Sequence, residues 1–155
     1  MRITHLAAYT GELHYDGTAY AFADARKLDE CLTSLADVQR ALADDAMDAM
    51  ALKVSKFGGL TPSRVIRDLC VAAGFPMTIE DAWGSGIATA AYAQLAASTP
   101  AHCLLNTTDL HRYNTTQLAH GAPTVAGGTM TVSDRPGLGV TPDFDRLEGP
   151  ILTRG

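Results

Sequence analysis

No stretch of this sequence stays apolar for the roughly 18 residues that a helix needs to cross a bilayer, so no membrane partner is expected. Basic runs are missing too. Twelve Lys and Arg stand against 17 Asp and Glu, a net charge of −5, which argues against nucleic acid as a partner. Cysteine is scarce: Cys31, Cys70 and Cys103 follow neither C-x-x-C nor zinc-finger spacing. An odd number cannot all pair within one chain, so they read as small buried hydrophobes in a reducing compartment. Asp29 and Glu30 beside Cys31 disfavour its thiolate, which removes it as a nucleophile. The G-x-G-x-x-G and GK[ST] patterns are absent, and His102 and His111 lack H-x-x-x-H spacing, which leaves each histidine structural or exposed. Met1-Arg2-Ile3-Thr4 leads into alternating sequence without an apolar signal core, and a cytoplasmic location is the expectation.

What the chain does have is ordinary globular composition. Its 155 residues are 46% hydrophobic and 19% charged, enough to bury a real core. From Lys27 to Asp109 there is a regular beat. Strand-like runs at 27–29, 49–55, 76–80 and 102–106 recur about every 25 residues, as βα units do. Helical segments fill the gaps. Ser34 is a cap-like start before Leu35, Val38 and Leu42 on one face. Thr61-Pro62 places a cap before a proline, Val65, Ile66, Leu69 and Cys70 form a stripe, and Gly74 sits where a C-terminal cap belongs. Residues 85–98 read as an alanine-rich third helix with Ile87, Ala91 and Leu95 on one side. The ends differ: residues 1–15 resemble an antiparallel strand turning at Tyr15-Asp16-Gly17. After His111 the sequence becomes rich in Gly, Pro and Thr, with one strand predicted at 129–132 and a turn-forming run at 134–139.

Two strand ends carry the chemistry: Leu28-Asp29-Glu30, and Leu52-Lys53-Val54-Ser55-Lys56-Phe57-Gly58-Gly59. In parallel neighbours these ends share a rim, the place where α/β enzymes keep their reactive groups. Alternation puts Met50, Leu52 and Val54 on one face and Ala49, Ala51, Lys53 and Ser55 on the other, so Lys53 looks into the mouth unless it snorkels at an edge. Lys56 has the opposite parity and is expected toward helices or solvent. Glu80 and Asp81 end a strand at the same rim, as substrate contacts or as acids at the start of the next helix. Trp83 suits a cationic substrate nitrogen, or simply packs. Gly58-Gly59 fits a tight turn or a contact to a substrate carboxylate.

These motifs resemble the mandelate racemase and muconate-lactonizing group of the enolase superfamily. Leu28-Asp29-Glu30 is similar to the end of that family's fifth barrel strand, and Leu52 to Gly59 to its sixth. Thr78-Ile79-Glu80-Asp81-Ala82-Trp83-Gly84 is similar to its seventh, especially in the hydroxyproline dehydratase and proline-betaine epimerase-like branch. Leu104-Leu105-Asn106-Thr107-Thr108-Asp109 is similar to its eighth. Pro136-Gly137-Leu138-Gly139-Val140 looks like a tail returning to the capping domain, and residues 1–24 like the cap's first strands.

The resemblance implies an α/β fold: partial TIM-barrel-like βα repeats, about strands five to eight. Segments 1–26 and 122–155 would form a small α+β cap remnant around a partial barrel at 27–121. It further implies Mg²⁺-dependent abstraction of the proton α to the carboxylate of a small substrate, leading to dehydration or epimerisation of a hydroxyproline-like or hydroxy acid. Lys53 takes the role of the sixth-strand catalytic lysine, with a pKa lowered toward working pH. Asp29 becomes a metal ligand, Glu30 supports it or is a solvated loop acid, and Glu80, Asp81 and Trp83 face the substrate. Strands one to four have no counterpart, and the other metal carboxylates go with them. The expectation is an internally shortened derivative or a gene fragment, with low or absent activity alone. The alternative is an inactive oligomeric scaffold or ligand-binding module, in which a homo-oligomer covers the open sheet edges.

Overall fold

The computed structural model describes residues 26–81 and 84–147 in full, and within the first 25 residues the backbone of three short strands. Those strands are β1 (Ala7–Ala8), β2 (Gly11–Tyr15) and β3 (Thr18–Phe22). There follow β4 (Arg26–Leu28), α1 (Leu35–Ala43), β5 (Ala49–Lys53), α2 (Leu60–Ala72), β6 (Met77–Glu80), α3 (Gly86–Ala97) and β7 (Leu104–Thr107). The C-terminal part holds only short strands: β8 (Ala119–His120), β9 (Thr124–Ala126), β10 (Thr129–Thr131) and β11 (Thr141–Pro142).

One five-stranded sheet in the order β1-β4-β5-β6-β7 organises the molecule. Strands β4 to β7 pair in parallel with their sequence neighbours, as the βα beat predicts. Register aligns Leu28 with Met50, Met50 with Met77, and Leu52 with Ile79. All five are fully buried, in one core with Val38 of α1, Ile66 and Cys70 of α2, and Tyr92 and Leu95 of α3. The opposite face carries Lys27, Ala49, Ala51, Lys53, Thr78 and Glu80, because opposed residues in a ladder share a face.

Local chemistry explains where the helices start and stop. The Ser34 hydroxyl accepts the Asp37 amide at 3.2 Å, and the Asp37 carboxylate accepts from Ser34 Oγ and from the Thr33 amide and hydroxyl. That reciprocal cap holds Asp37 below the usual carboxylate range, through Ser34 first and then Thr33. Helix α2 begins earlier than the sequence suggests. Its cap is Gly59, at φ 112°, so Thr61 and Pro62 lie inside the first turn, where amides have no helical partner to lose. At its other end Gly74, at φ 65°, lets Phe75 N reach Cys70 O (2.8 Å) and Gly74 N reach Val71 O (3.0 Å). The buried stripe of α2 is Ser63, Ile66, Arg67 and Cys70; Val65, expected inside, is 51% exposed. Helix α3 buries a face other than the expected one: of Ile87, Ala91 and Leu95 only Leu95 is buried, and Thr89, Ala90, Tyr92, Ala93 and Ala96 are buried with it.

The end segments add detail to the sequence reading. Strands β2 and β3 form the expected antiparallel hairpin, with Tyr15 opposite Thr18. The turn residues Asp16 and Gly17 lie outside the described residues. Strand β1 joins the main sheet, antiparallel to β4. Residues 134–139 turn as expected, and β10 pairs with β9 while β11 pairs with β8. Among the described residues no ladder joins the two ends into a common cap sheet.

Arg67 ties α2 to the end of α3. Its Nη1 donates to Ser98 O (2.9 Å) and Ser98 Oγ (3.0 Å), where the C-terminal carbonyls of α3 favour a cation. Arg67→Ala is expected to lower stability by about 2 kcal/mol, since it removes a buried guanidinium that bonds Ser98 and Thr99 and joins the two helices. Urea denaturation checks this, and a loss below about 0.5 kcal/mol would contradict it.

Candidate active site

Pairing Lys27 with Ala49 and Leu28 with Met50 brings the residues after β4 to the rim where β5 ends. There Lys53 Nζ lies 3.0 Å from Asp29 Oδ1 and donates to Glu30 Oε1. Lys56 Nζ donates to the other oxygen of the same carboxylate, Glu30 Oε2. The Lys53 side chain is 14% exposed and that of Glu30 61%, so a nearly buried ammonium meets an acid reaching in from solvent.

The electrostatics follow from these contacts. Hydrogen bonds from Lys53 and then Lys56 draw the Glu30 carboxyl down to about 2. Burial pulls the Lys53 ammonium the other way, toward neutrality, but its hydrogen bond to Glu30 and its close approach to the Asp29 carboxylate outweigh that and leave its pKa raised. With these two carboxylates as its partners Lys53 is held charged; the lowered lysine that the resemblance implies rests on a Mg²⁺ beside it. Lys56 is a correction. Strand β5 ends at Lys53, so alternation stops there, and the following turn swings Lys56 back to the mouth.

The remaining candidates separate. Glu80 lies opposite Lys53 in register, on the same face. Burial pushes its pKa up, while Lys27 and Lys53 pull against it and Asp29 adds to it. Asp81, one residue on, does not share that face. Its carboxylate accepts the Ser55 amide at 2.9 Å and the Ser55 hydroxyl, latching the end of β6 to the end of β5. Trp83 lies outside the described residues. The Gly58 amide donates to Ser55 O (3.1 Å) and the Gly59 amide to Val54 O (2.9 Å), so both serve the turn itself rather than an incoming anion.

A parallel sheet with a lysine and carboxylates at its carboxyl rim is the arrangement that the sequence motifs foreshadow. The enolase C-terminal domain-like family model matches residues 27–146. The chain belongs to the mandelate racemase and muconate-lactonizing group of the enolase superfamily. It is 52% identical over 124 residues to a cis-3-hydroxy-L-proline dehydratase of Roseibium aggregatum, which covers 80% of this chain and 34% of that enzyme. A mandelate racemase/muconate lactonizing enzyme from Roseovarius nubinhibens ISM superposes with a TM-score of 0.80 at 47% identity, over 83% of this chain and 35% of the other. An enolase-superfamily member from the same organism, complexed with magnesium, gives a TM-score of 0.80 at 35% identity, over 85% and 36%. This chain thus spans about a third of the length of the relatives it matches.

Magnesium prefers a near-octahedral set of oxygens. Asp29 offers one buried oxygen, which lacks an aligned hydrogen bond but already has the Lys53 ammonium as counter-ion. Among the described residues no three His, Cys, Asp or Glu side chains stand close enough to share a metal ion. The donors present here do not by themselves fit a resident Mg²⁺. No helix of the described residues is long and apolar enough to cross a membrane.

The two neighbouring acids where β6 ends should respond oppositely to substitution. Asp81→Ala is expected to cost about 1–3 kcal/mol by freeing the Ser55 donors. Glu80→Gln is expected to leave stability equal or higher at pH 7, because the raised pKa makes ionised Glu80 unfavourable in the fold. That gain is full above the raised folded pKa and vanishes below the ordinary value of 4.5. Melting curves of both variants from pH 4 to 8 check this. A Glu80→Gln chain that loses stability at pH 7, or an Asp81→Ala chain that does not, contradicts the assignment.

Proposed function

We propose that this chain carries the Lys53 side of a dehydratase or epimerase site acting on a small carboxylate of the hydroxyproline or hydroxy-acid class, in a cytoplasmic setting. The observation that carries the reading is the Lys53 ammonium 3.0 Å from Asp29 Oδ1 at the carboxyl rim of parallel strands. The 52% identity to a cis-3-hydroxy-L-proline dehydratase supports the substrate class. In this role Lys53 exchanges a proton with the substrate's α-carbon. Held as an ammonium by Asp29 and Glu30, it rests in the proton-giving form; it takes a proton only after those carboxylates are engaged elsewhere. Glu80, on the same face as Lys53, is assigned to a substrate hydroxyl or ammonium; Trp83, outside the described residues, keeps its assignment to a substrate nitrogen. Mg²⁺ belongs to this reading as the family's cofactor, with Asp29 as the one ligand this chain would offer. Alone, the chain is expected to turn over slowly or not at all.

A chimera tests the chemistry without asking the chain to act alone. Residues 27–146 replace the matching segment of the Roseibium dehydratase, and water loss from cis-3-hydroxy-L-proline is followed. The chimera is expected to be active, and Lys53→Ala within it to lose about 10²- to 10⁴-fold in kcat with an unchanged circular dichroism spectrum. Retained turnover in Lys53→Ala would refute the assignment.

A second reading, an oligomeric scaffold, draws on one observation. The outer edge of β7 has no ladder partner among the described residues, and Leu105 on that uncharged strand is 55% exposed. On this reading the melting temperature rises between about 1 and 100 μM protein. A melting temperature independent of concentration would count against it.

A further inference from the structure

The rim charges close on themselves. Asp29 and Glu30 bring two carboxylates, Lys53 and Lys56 two ammonium groups, and every oxygen that faces the mouth in these contacts already has a lysine against it. Asp29 Oδ1 and Glu30 Oε1 face Lys53, and Glu30 Oε2 faces Lys56. A divalent ion approaching Asp29 meets an ammonium at close range, at a partly buried rim where water screens the repulsion less than on open surface.

We propose that Lys53 and Lys56 serve here as internal counter-ions in the place of a divalent cation. The rim then folds and persists without Mg²⁺, and a divalent ion gains access to Asp29 and Glu30 only when a lysine withdraws. Three features support this beyond charge counting. Lys53 is the least exposed of the four side chains, so its ammonium is placed to balance the buried Asp29 oxygen rather than water. Glu30 bridges both lysines with separate oxygens, the way a carboxylate bridges two cations. Residues 23 and 26 positions apart are brought together, so the network is a product of the parallel pairing and not of local sequence. The inference stands on these ion pairs and not on the reaction proposed above.

The test is calorimetric titration of MgCl₂, and of MnCl₂ as a second probe, into the whole chain at pH 7. Melting curves with each ion and with EDTA accompany it. The unmodified chain is expected to show no saturable binding below on the order of 1 mM and no shift in melting temperature. Lys53→Gln, which keeps a hydrogen-bonding side chain without the charge, is expected to bind Mn²⁺ at least about tenfold more tightly than the unmodified chain. Lys56→Gln, altered in a turn rather than a strand, is expected to gain in the same direction, and it decides the matter if Lys53→Gln does not fold. Stoichiometric binding of either ion by the unmodified chain would overturn the proposal, and so would folded variants that gain nothing. Failure of the chimera to dehydrate its substrate would leave this result untouched.

Discussion

Everything at the rim depends on the parallel pairing of β4 with β5, which lays Lys27 beside Ala49 and Leu28 beside Met50. That register is held from the other face, where Leu28, Met50, Leu52, Met77 and Ile79 are fully buried beneath the helices. A slip by one residue would turn those apolar side chains out and Lys53 in, so the hydrophobic core fixes the charged site at no distance from it. The Asp81–Ser55 latch and the Gly58-Gly59 turn then set the strand ends that the core leaves loose.

Lys53 shows how opposing effects are decided by number and proximity. Burial alone would favour the neutral amine, yet one carboxylate at 3.0 Å and a second in direct hydrogen bond reverse the balance. An exposed pair of this kind is worth little, typically under about 1 kcal/mol. Here the ammonium is mostly out of water and shared between two acids, so its protonation state follows its partners rather than solvent. The proton transfer proposed for Lys53 is in consequence coupled to whatever else engages Asp29 and Glu30.

The sequence made the scaffold legible wherever a signal was local. The Ser34 cap, the Gly74 stop and the alternation through Ala49–Lys53 are written in a few adjacent residues, and the structure forms each of them. Parallel pairing also followed from the spacing of the strand runs, and with it the meeting of Asp29, Glu30 and Lys53. What was not legible depended on where strands end and on tertiary company. Lys56 was misplaced because alternation was carried past Lys53 into a turn. Val65 was misplaced because the face that α2 buries runs through Ser63, Ile66, Arg67 and Cys70, a face chosen by tertiary packing. Asp81 was read with Glu80 although neighbours on an extended chain diverge, and its partner Ser55 lies on another strand. The antiparallel β1 beside β4 had no local signal at all, being two alanines.

The most direct check of the whole account is a double-mutant cycle between Asp29 and Lys53, with Asp29→Asn, Lys53→Gln and the pair measured by urea denaturation at pH 7. Side chains in contact at this rim predict a favourable coupling of about 0.5–1 kcal/mol that shrinks in high salt. Additive single effects, with no coupling beyond error, would mean that the two groups do not share a mouth, and the site built on them would fall.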